Sequence, residues 1–340
     1  MTFYSPGMTW LLTGGAGYIG PHIVRSFLGA GKQVVVLDNL SNGFADNVAD
    51  GVTLIEADLA DADAVRSTIS DHHVSGVVHL AALKAAGESV EQPLRYYRQN
   101  VMGMLVLLEQ VVDAKVRNVV FSSSAATYGE TRVEYLNEET PTVPSNPYGE
   151  TKLIGEWMLR DVQRAASIDF VALRYFNVAG AGDPALGDRS VNNLIPMVFR
   201  ALTNGESPQV FGADYDTEDG SCIRDYIHVA DLADAHLAAA ARLERLKPGE
   251  RLAATYNVGR GQGATVFQVM EAVREVSDID FEPAVVARRL GDPARVVADP
   301  SNIERELGWT AHRDLHDMVT TAWDSWLVRH PEMRPEMRRH

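Results

Sequence analysis

Tyr148 and Lys152 lie four residues apart, and Ser124 precedes Tyr148 by 24 positions. On a helix an i, i+4 pair shares one face, a single turn apart. Ser145-Asn146-Pro147 supplies a cap residue and a proline suited to a first turn, so helix is expected from about that point. A free tyrosine, with a pKa of about 10, is a poor base at neutral pH. A lysine ammonium on the same face, together with a positively charged cofactor ring, favours phenolate and moves that value toward a useful range. Ser124 follows an apolar run at 116–122, where a hydroxyl can bind substrate and pass a proton. The triple Ser122-Ser123-Ser124 leaves open, from residue types alone, which serine does so. A Tyr-x-x-x-Lys pair also occurs on ordinary amphipathic helices, so its weight comes from its company.

That company is the loop Thr13-Gly14-Gly15-Ala16-Gly17-Tyr18-Ile19-Gly20, which follows a strand-like run and opens a helix-like one. Glycines there make the tight turn and let a pyrophosphate approach the backbone, and a helix beginning near Tyr18 offers it free N–H groups. Asp38 ends the next strand-like run, 18 residues after Gly20. That is close to the spacing of roughly 20 at which an acid holds ribose hydroxyls. A carboxylate there repels a 2′-phosphate, and 39–50 contain no arginine or lysine to reverse this, so NAD is favoured over NADP.

Runs at 8–13, 33–37, 53–56, 76–81, 116–122 and 169–174 read as short buried strands. Helix-length segments at 18–30, 61–71, 94–114 and 148–166 alternate with them. The order predicts an α/β fold, a Rossmann-type doubly wound parallel sheet with right-handed crossovers. After about Asn177 the pattern loosens, with single helices at 229–243 and 266–276. The expected organisation is a dinucleotide-binding domain over 1–178 and a smaller mixed α/β substrate domain over 179–340. Segments near 229–258 are expected to return to the first domain.

The 340 residues carry a net charge of -15 with a pI near 5.1, which argues against general nucleic-acid binding. An anionic substrate on this background needs specific arginines and lysines placed against it. The single cysteine, Cys222, excludes an internal disulfide and fits a reducing cytosol. The apolar stretch 10–12 is too short for a membrane span. A cytoplasmic location is expected. His79 and His228 are read as structural, and no metal site is expected. Residues 1–7 match no element and are expected to form a tail ahead of Met8.

TGGAGYIG (13–20), Asp58-Leu59, HLAALKAAGESV (79–90), Asn100, SSSAATYG (122–129), YGETK (148–152), RYFNVAGA (174–181) and TEDGSCIRDYIHVADLADAH (217–236) together resemble the UDP-glucose 4-epimerases. These are extended short-chain dehydrogenases/reductases, and the resemblance runs from about 8 to about 330. It implies NAD-dependent 4-epimerisation of a UDP-hexose through a transient 4-keto sugar. Tyr148 is then the base, Ser124 its proton-transfer partner, and Lys152 the residue that holds the ribose and tunes Tyr148. Implied NAD contacts are Gly14, Gly17, Tyr18, Ile19 and Gly20; Asp38, Asn39, Leu40, Ser41, Asn42 and Gly43; Asp58, Leu59, Leu80, Ala81, Ala82 and Lys84; and Asn100, Ser122, Tyr148, Lys152 and Phe176. Implied UDP-sugar contacts are Lys84, Ser124, Tyr148, Phe176, Asn177, Asn193, Leu194, Gln209, Val210, Phe211, Arg224, Arg289, Asp292 and Val296.

The helix at 94–114 reads as core packing, and the resemblance adds a homodimer built on it and the Tyr148 helix. A nucleotide-sugar 4,6-dehydratase is disfavoured, because that chemistry needs an acid pair where this chain has Ala125 and Ala126. A non-enzymatic NAD-sensing regulator typically loses the tyrosine–lysine pair kept here. The small Val296, at a position matching the gate near the sugar C2 group, points to acceptance of N-acetylhexosamines. A UDP-pentose epimerase is a further alternative, since 177–182 lack the family's common histidine; Pro21 is a second departure.

Overall fold

Residues 8–289 and 291–335 are described in this computed structural model; the expected tail, residues 1–7, lies outside them. Thirteen strands follow one another: β1 (Thr9–Thr13), β2 (Gln33–Asp38), β3 (Thr53–Glu56), β4 (Val74–His79), β5 (Asn118–Ser124), β6 (Asp169–Tyr175), β7 (Asn177–Ala179), β8 (Gln209–Phe211), β9 (Ile223–His228), β10 (Ala253–Val258), β11 (Gly263–Thr265), β12 (Ala284–Val286) and β13 (Arg295–Val296). The main sheet is parallel throughout, in the order β10-β6-β5-β4-β1-β2-β3. Strand order reverses between β1 and β4, and ligands bind beyond the carboxyl ends of strands at such a switch point.

Alternation along each strand divides the apolar residues between two cores. Trp10, Leu12, Val36, Val78, Val120 and Val171 pack on one face against the helices Gly20–Gly29 and Val229–Glu244. Leu11, Val35, Val77, Val119 and Phe121 pack on the other, against Ala62–Asp71, Gly103–Asp113 and Pro147–Ala165. A third core holds Ile195, Phe199, Val210, Tyr226, Met270, Trp323 and Trp326. It is served by β7, β9, β11 and β13, which form a separate sheet. β10 returns to the edge of the main sheet beside β6.

The segment expected as one helix at 94–114 begins at Pro93 and is not uniform. A π-helical stretch, Tyr97–Met102, separates Pro93–Tyr96 from Gly103–Asp113. Such widened turns are found where a side chain is put to special use. Here Asn100 accepts from the Leu83 amide at 2.8 Å and donates to the Leu83 carbonyl and to Thr151 Oγ1, both at 3.0 Å. It thereby fixes the loop after β4 to the Tyr148 helix.

Four histidines are buried within this framework. His236 Nδ1 donates to the Leu232 carbonyl at 2.8 Å, and with the ring kept neutral by burial its Nε2 accepts from Ser122 at 2.9 Å. His228 Nδ1 accepts from the Ala230 amide, and His22 Nε2 from the Gly182 amide. Burial lowers the pKa of His22, His228 and His236 to about 4 and that of His79 to about 3. Between these values and the ordinary 6.5, unfolding takes up protons, so stability falls with falling pH. Asp225, raised by burial to about 6, acts oppositely between there and 3.8, offsetting about one of the four. The thermal midpoint is therefore expected to fall steadily as pH drops from 6.5 toward 4; a flat midpoint across that window contradicts four neutral buried imidazoles.

Candidate active site

The last three residues of β5 are the serine triple, and its ambiguity resolves through the Pro147–Ala165 helix. Asn146 caps that helix by accepting the Gly149 amide at 3.0 Å, and Pro147 occupies the first turn. A Cβ on Gly149 would lie 2.4 Å from the Ala126 carbonyl oxygen, so only glycine lets the helix start this close to the turn after Ser124. Tyr148, Lys152 and Glu156 then fall on one face in successive turns. The Ser124 hydroxyl neighbours the Tyr148 phenol and favours its ionised form, while Ser124 Oγ accepts the Ala126 amide at 3.1 Å. Lys152 Nζ donates to the Ser122 carbonyl at 2.8 Å, and Glu156 Oε1 accepts from Ser123 at 2.5 Å. Each serine thus has its own neighbour: His236 bonds the Ser122 hydroxyl and Glu156 that of Ser123, whereas Ser124 lies beside Tyr148. Glu156 is fully buried and paired with Arg174 through Nε at 2.8 Å and Nη2 at 2.6 Å.

Burial raises the Tyr148 pKa above its ordinary 10, and the hydrogen bond with Ser124 opposes this. Burial also lowers Lys152, to about 7. Lys152 is thus a weaker source of positive charge at neutral pH than a free lysine. A phenolate here needs additional positive charge beside the ring, which is the part of the expectation assigned to the cofactor.

Gly14, Gly17, Tyr18, Ile19 and Gly20 line a cavity at the carboxyl edge of the main sheet. So do Asp38, Asn39, Ser41, Asn42 and Gly43, then Asp58, Leu59, Leu80, Ala81, Ala82 and Lys84, and finally Tyr148 and Lys152. Gly14 has φ 74°, and a Cβ there would sit 2.6 Å from the Ala81 amide nitrogen. The Asp38 carboxylate is held by the Ala16 and Leu40 amides, both at 2.9 Å, one on each oxygen. Each oxygen keeps a lone pair for a ribose hydroxyl. Asn39 donates to Asp58 at 2.7 Å on the same wall. A glycine-floored cradle and a fixed acid fit the pyrophosphate and ribose of a dinucleotide.

Four expected cofactor residues do not line this cavity. Leu40 makes a turn at φ 54°, Asn100 acts through Leu83 and Thr151, and Ser122 lies behind Lys152. Phe176 packs with Tyr128, Leu136 and Ala298. Its neighbour Tyr175, the last residue of β6, lines the cavity instead. Neighbouring residues of an extended chain point to opposite faces, so this alternation was the available signal. Burial raises the Tyr175 pKa, and Tyr148 raises it further. The residues 187–190, Asn192, Phe44 and Asn47 also line the cavity and carry no motif that would have marked them.

A second cavity is lined by Asn177, Asn193, Leu194, Gln209, Phe211, Arg224, Arg289 and Asp292, all expected, and by Arg200, Cys222 and Tyr226, which were not. Arg224 pairs with Asp292 and donates to the Ile223 carbonyl at 2.8 Å. The Arg289 guanidinium lies 3.8 Å over the Phe211 ring. Val210 is completely buried beneath this wall, and Val296 pairs with Arg224 across β13 and β9 while packing on the Phe176 cluster. Among the described residues, no group of three or more His, Cys, Asp or Glu is arranged to hold a metal ion.

Residues 10–259 match the model of the NAD dependent epimerase/dehydratase family. The chain belongs to that family. It is 44% identical to a UDP-glucose 4-epimerase of Halalkalibacterium halodurans, over 95% of this chain and 97% of the relative. A crystal structure of a UDP-glucose 4-epimerase from Stenotrophomonas maltophila, with NAD and formylated UDP-arabinopyranose bound, superposes with a TM-score of 0.90 at 36% identity, covering 95% and 99% of the two chains. A UDP-Glc/GlcNAc 4-epimerase from Campylobacter jejuni gives 0.82 at 38% identity, covering 94% and 99%. The Rossmann-type architecture is that of these neighbours, and NAD is the family's cofactor.

The separate partners of the three serines predict distinct phenotypes. Ser124→Ala should lower kcat by roughly 10²–10⁴, the usual contribution of a proton-transfer group. Ser123→Ala should instead cost about 1–3 kcal/mol of stability by leaving Glu156 short of a donor, with kcat largely kept. Steady-state kinetics and thermal melts of the two variants separate these outcomes, and equal losses of kcat would contradict the division.

Proposed function

We propose that the protein interconverts UDP-glucose and UDP-galactose by 4-epimerisation, with NAD bound throughout. The observation that carries this reading is the pairing of two cavities. One is lined by Tyr148 and Lys152, with Ser124 at the end of β5 beside them, and the other offers Arg224 and Arg289 in a chain of net charge -15. When bound, NAD supplies a reversible hydride acceptor for the sugar C4 and the positive charge of its oxidised ring. Tyr148 takes the proton from the sugar O4 and later gives it back, and the neighbouring Ser124 hydroxyl relays it. Lys152, fixed on the Ser122 carbonyl, orients a ribose hydroxyl and adds positive charge below Tyr148 when protonated.

Arg224 and Arg289 hold the diphosphate, with Asn177, Asn193, Leu194, Gln209 and Phe211 around the nucleotide. The grip on the sugar itself is light, so the transient 4-keto sugar turns about its diphosphate tether and presents its other face. The opposed demands are met by charge at one end and small or apolar groups at the other. Ala125 and Ala126, in the turn after Ser124, put no acid beside the sugar, which disfavours elimination of water as in 4,6-dehydratases. The intact Tyr148–Lys152 pair disfavours a purely regulatory NAD-binding role.

The reading extends to substrate breadth. Val296 is small and packs on the same cluster as Phe176, which supports room for a C2 substituent. It also extends to a cytosolic homodimer. Leu94, Met102, Leu105 and Trp157 are exposed on the two helical segments named for that interface, at 80%, 52%, 42% and 50%. No helix of the described residues is long and apolar enough to cross a membrane. We further assign 1–178 to cofactor binding and 179–340 mainly to the UDP-sugar, with segments near 229–258 returning to the first part.

Two assays test the reaction. Incubating the protein with UDP-galactose should yield UDP-glucose, and Tyr148→Phe should abolish turnover by at least about 10²-fold while NAD remains bound. Near-normal activity in that variant would sink the mechanism. UDP-N-acetylgalactosamine should also be converted, within roughly a thousandfold of UDP-galactose in kcat/KM; stronger discrimination rejects the assignment to Val296.

A further inference from the structure

Between the two cavities runs a short segment, 187–193, that joins the cofactor side to the nucleotide side. Gly187, Asp188, Arg189, Ser190 and Asn192 line the dinucleotide cavity, and Asn192 and Asn193 line the second. Its chain is held from within. The buried Asp188 carboxylate accepts from the Ser190 amide at 3.0 Å, from the Ser190 hydroxyl at 2.6 Å and from Asn193 Nδ2 at 2.6 Å. A Cβ on Gly187 would lie 2.1 Å from Ser325 Oγ, which presses this end against the third core. Val191 has φ 50°, a left-handed conformation that a β-branched residue adopts only when its surroundings impose it.

Arg189 reaches from this segment to the far rim. Its guanidinium lies 3.6 Å over the ring of Phe44 and donates to Asp46 at 3.0 and 3.3 Å. Phe44 and Asp46 belong to the loop between β2 and β3, and Phe44 lines the same cavity as Gly43 and Asn47. A planar, delocalised guanidinium stacks flat on the ring while its edge pairs with the carboxylate, a geometry that a lysine ammonium reproduces only in part. The contact therefore links two segments 143 residues apart across one binding site.

We propose that Arg189 and Phe44 form a clamp across the dinucleotide cavity, and that this clamp sets how long NAD stays bound. The proposal rests on the reading of the reaction: a hydride borrowed from the sugar has to be returned by the same cofactor. A cofactor lost in mid-cycle ends turnover with the sugar oxidised. Retention is thus a separate requirement from catalysis, and the Arg189 clamp meets it with residues that touch neither Tyr148 nor Ser124.

The test reads release of NAD directly. Protein charged with NAD is diluted into a scavenging dehydrogenase and its substrate, which reduce each NAD as it leaves, and the absorbance of NADH is followed. Arg189→Ala and Phe44→Ala should each speed release by roughly three- to thirtyfold, the span that one cation–π contact and one ion pair provide. The double variant should be little faster than the faster single one, because both remove the same contact. Arg189→Lys should fall between wild type and alanine. Release from Arg189→Ala within about twofold of wild type, or fully additive effects in the double variant, overturns the clamp. Should Arg189→Ala fail to fold, Phe44→Ala and Phe44→Leu carry the expectation of faster release, and release from both within about twofold of wild type overturns the clamp. Wild-type conversion of UDP-galactose is measured alongside. A protein that epimerises with release unchanged in the variants defeats the clamp alone, whereas one that does not epimerise defeats the underlying reading.

Discussion

The site depends on one buried contact, the Lys152 ammonium against the Ser122 carbonyl at 2.8 Å. An amine in that position loses its hydration, and the lowering of its pKa to about 7 expresses the cost. What the contact secures is registry. Once Lys152 is tied to the end of β5, the turn before it brings Tyr148 to Ser124 and the turn after it brings Glu156 to Ser123. Asn100, bridging Leu83 and Thr151, and Gly149, pressed on Ala126, keep that helix from sliding. Moving any of these would displace the phenol from its serine before it disturbed the sheet.

Electrostatics divides the chain's two ligand-facing walls. On the cofactor wall Asp38 and Asp58 are acids that already hold protein donors, and Lys84, Lys152 and Arg189 stand elsewhere around the same cavity. On the other wall stand arginines, and Arg224 is kept in place by Asp292. A pre-paired arginine binds a diphosphate less strongly than a bare one, but it is already oriented and loses little side-chain freedom on binding.

Much of this was legible in the sequence, and the rest was hidden for identifiable reasons. Buried parallel strands are short apolar runs, so β1 to β6 and the helices between them could be read to within about two residues at most ends. The glycine loop, Asp38 and the Tyr148–Lys152 pair were legible because a tight turn, a charge and a helical spacing each leave a residue-type signature. The choice among the serines was not, since it depends on three partners from distant segments: His236, Glu156 and Tyr148. Phe176 was expected to straddle cofactor and substrate, and Tyr175, which lines the cofactor cavity, carried no expectation, because the resemblance fixes a neighbourhood rather than a face. The segment 187–193 had no periodicity to read, and Arg189 looks like any surface arginine until Phe44 and Asp46 are seen opposite it.

The route of the backbone has a mechanical consequence. It passes from the main sheet to the smaller one between β6 and β7, comes back between β9 and the Val229–Glu244 helix, and crosses again between β10 and β11. A single linker acts as a hinge, whereas several separate crossings act like stitches along a seam and resist rotation of one half against the other. The two cavities therefore keep a nearly fixed spacing. Ligand entry and exit fall to short segments at the rim, and the span between the sugar-bearing diphosphate and the reactive edge of the sheet behaves as a built-in ruler.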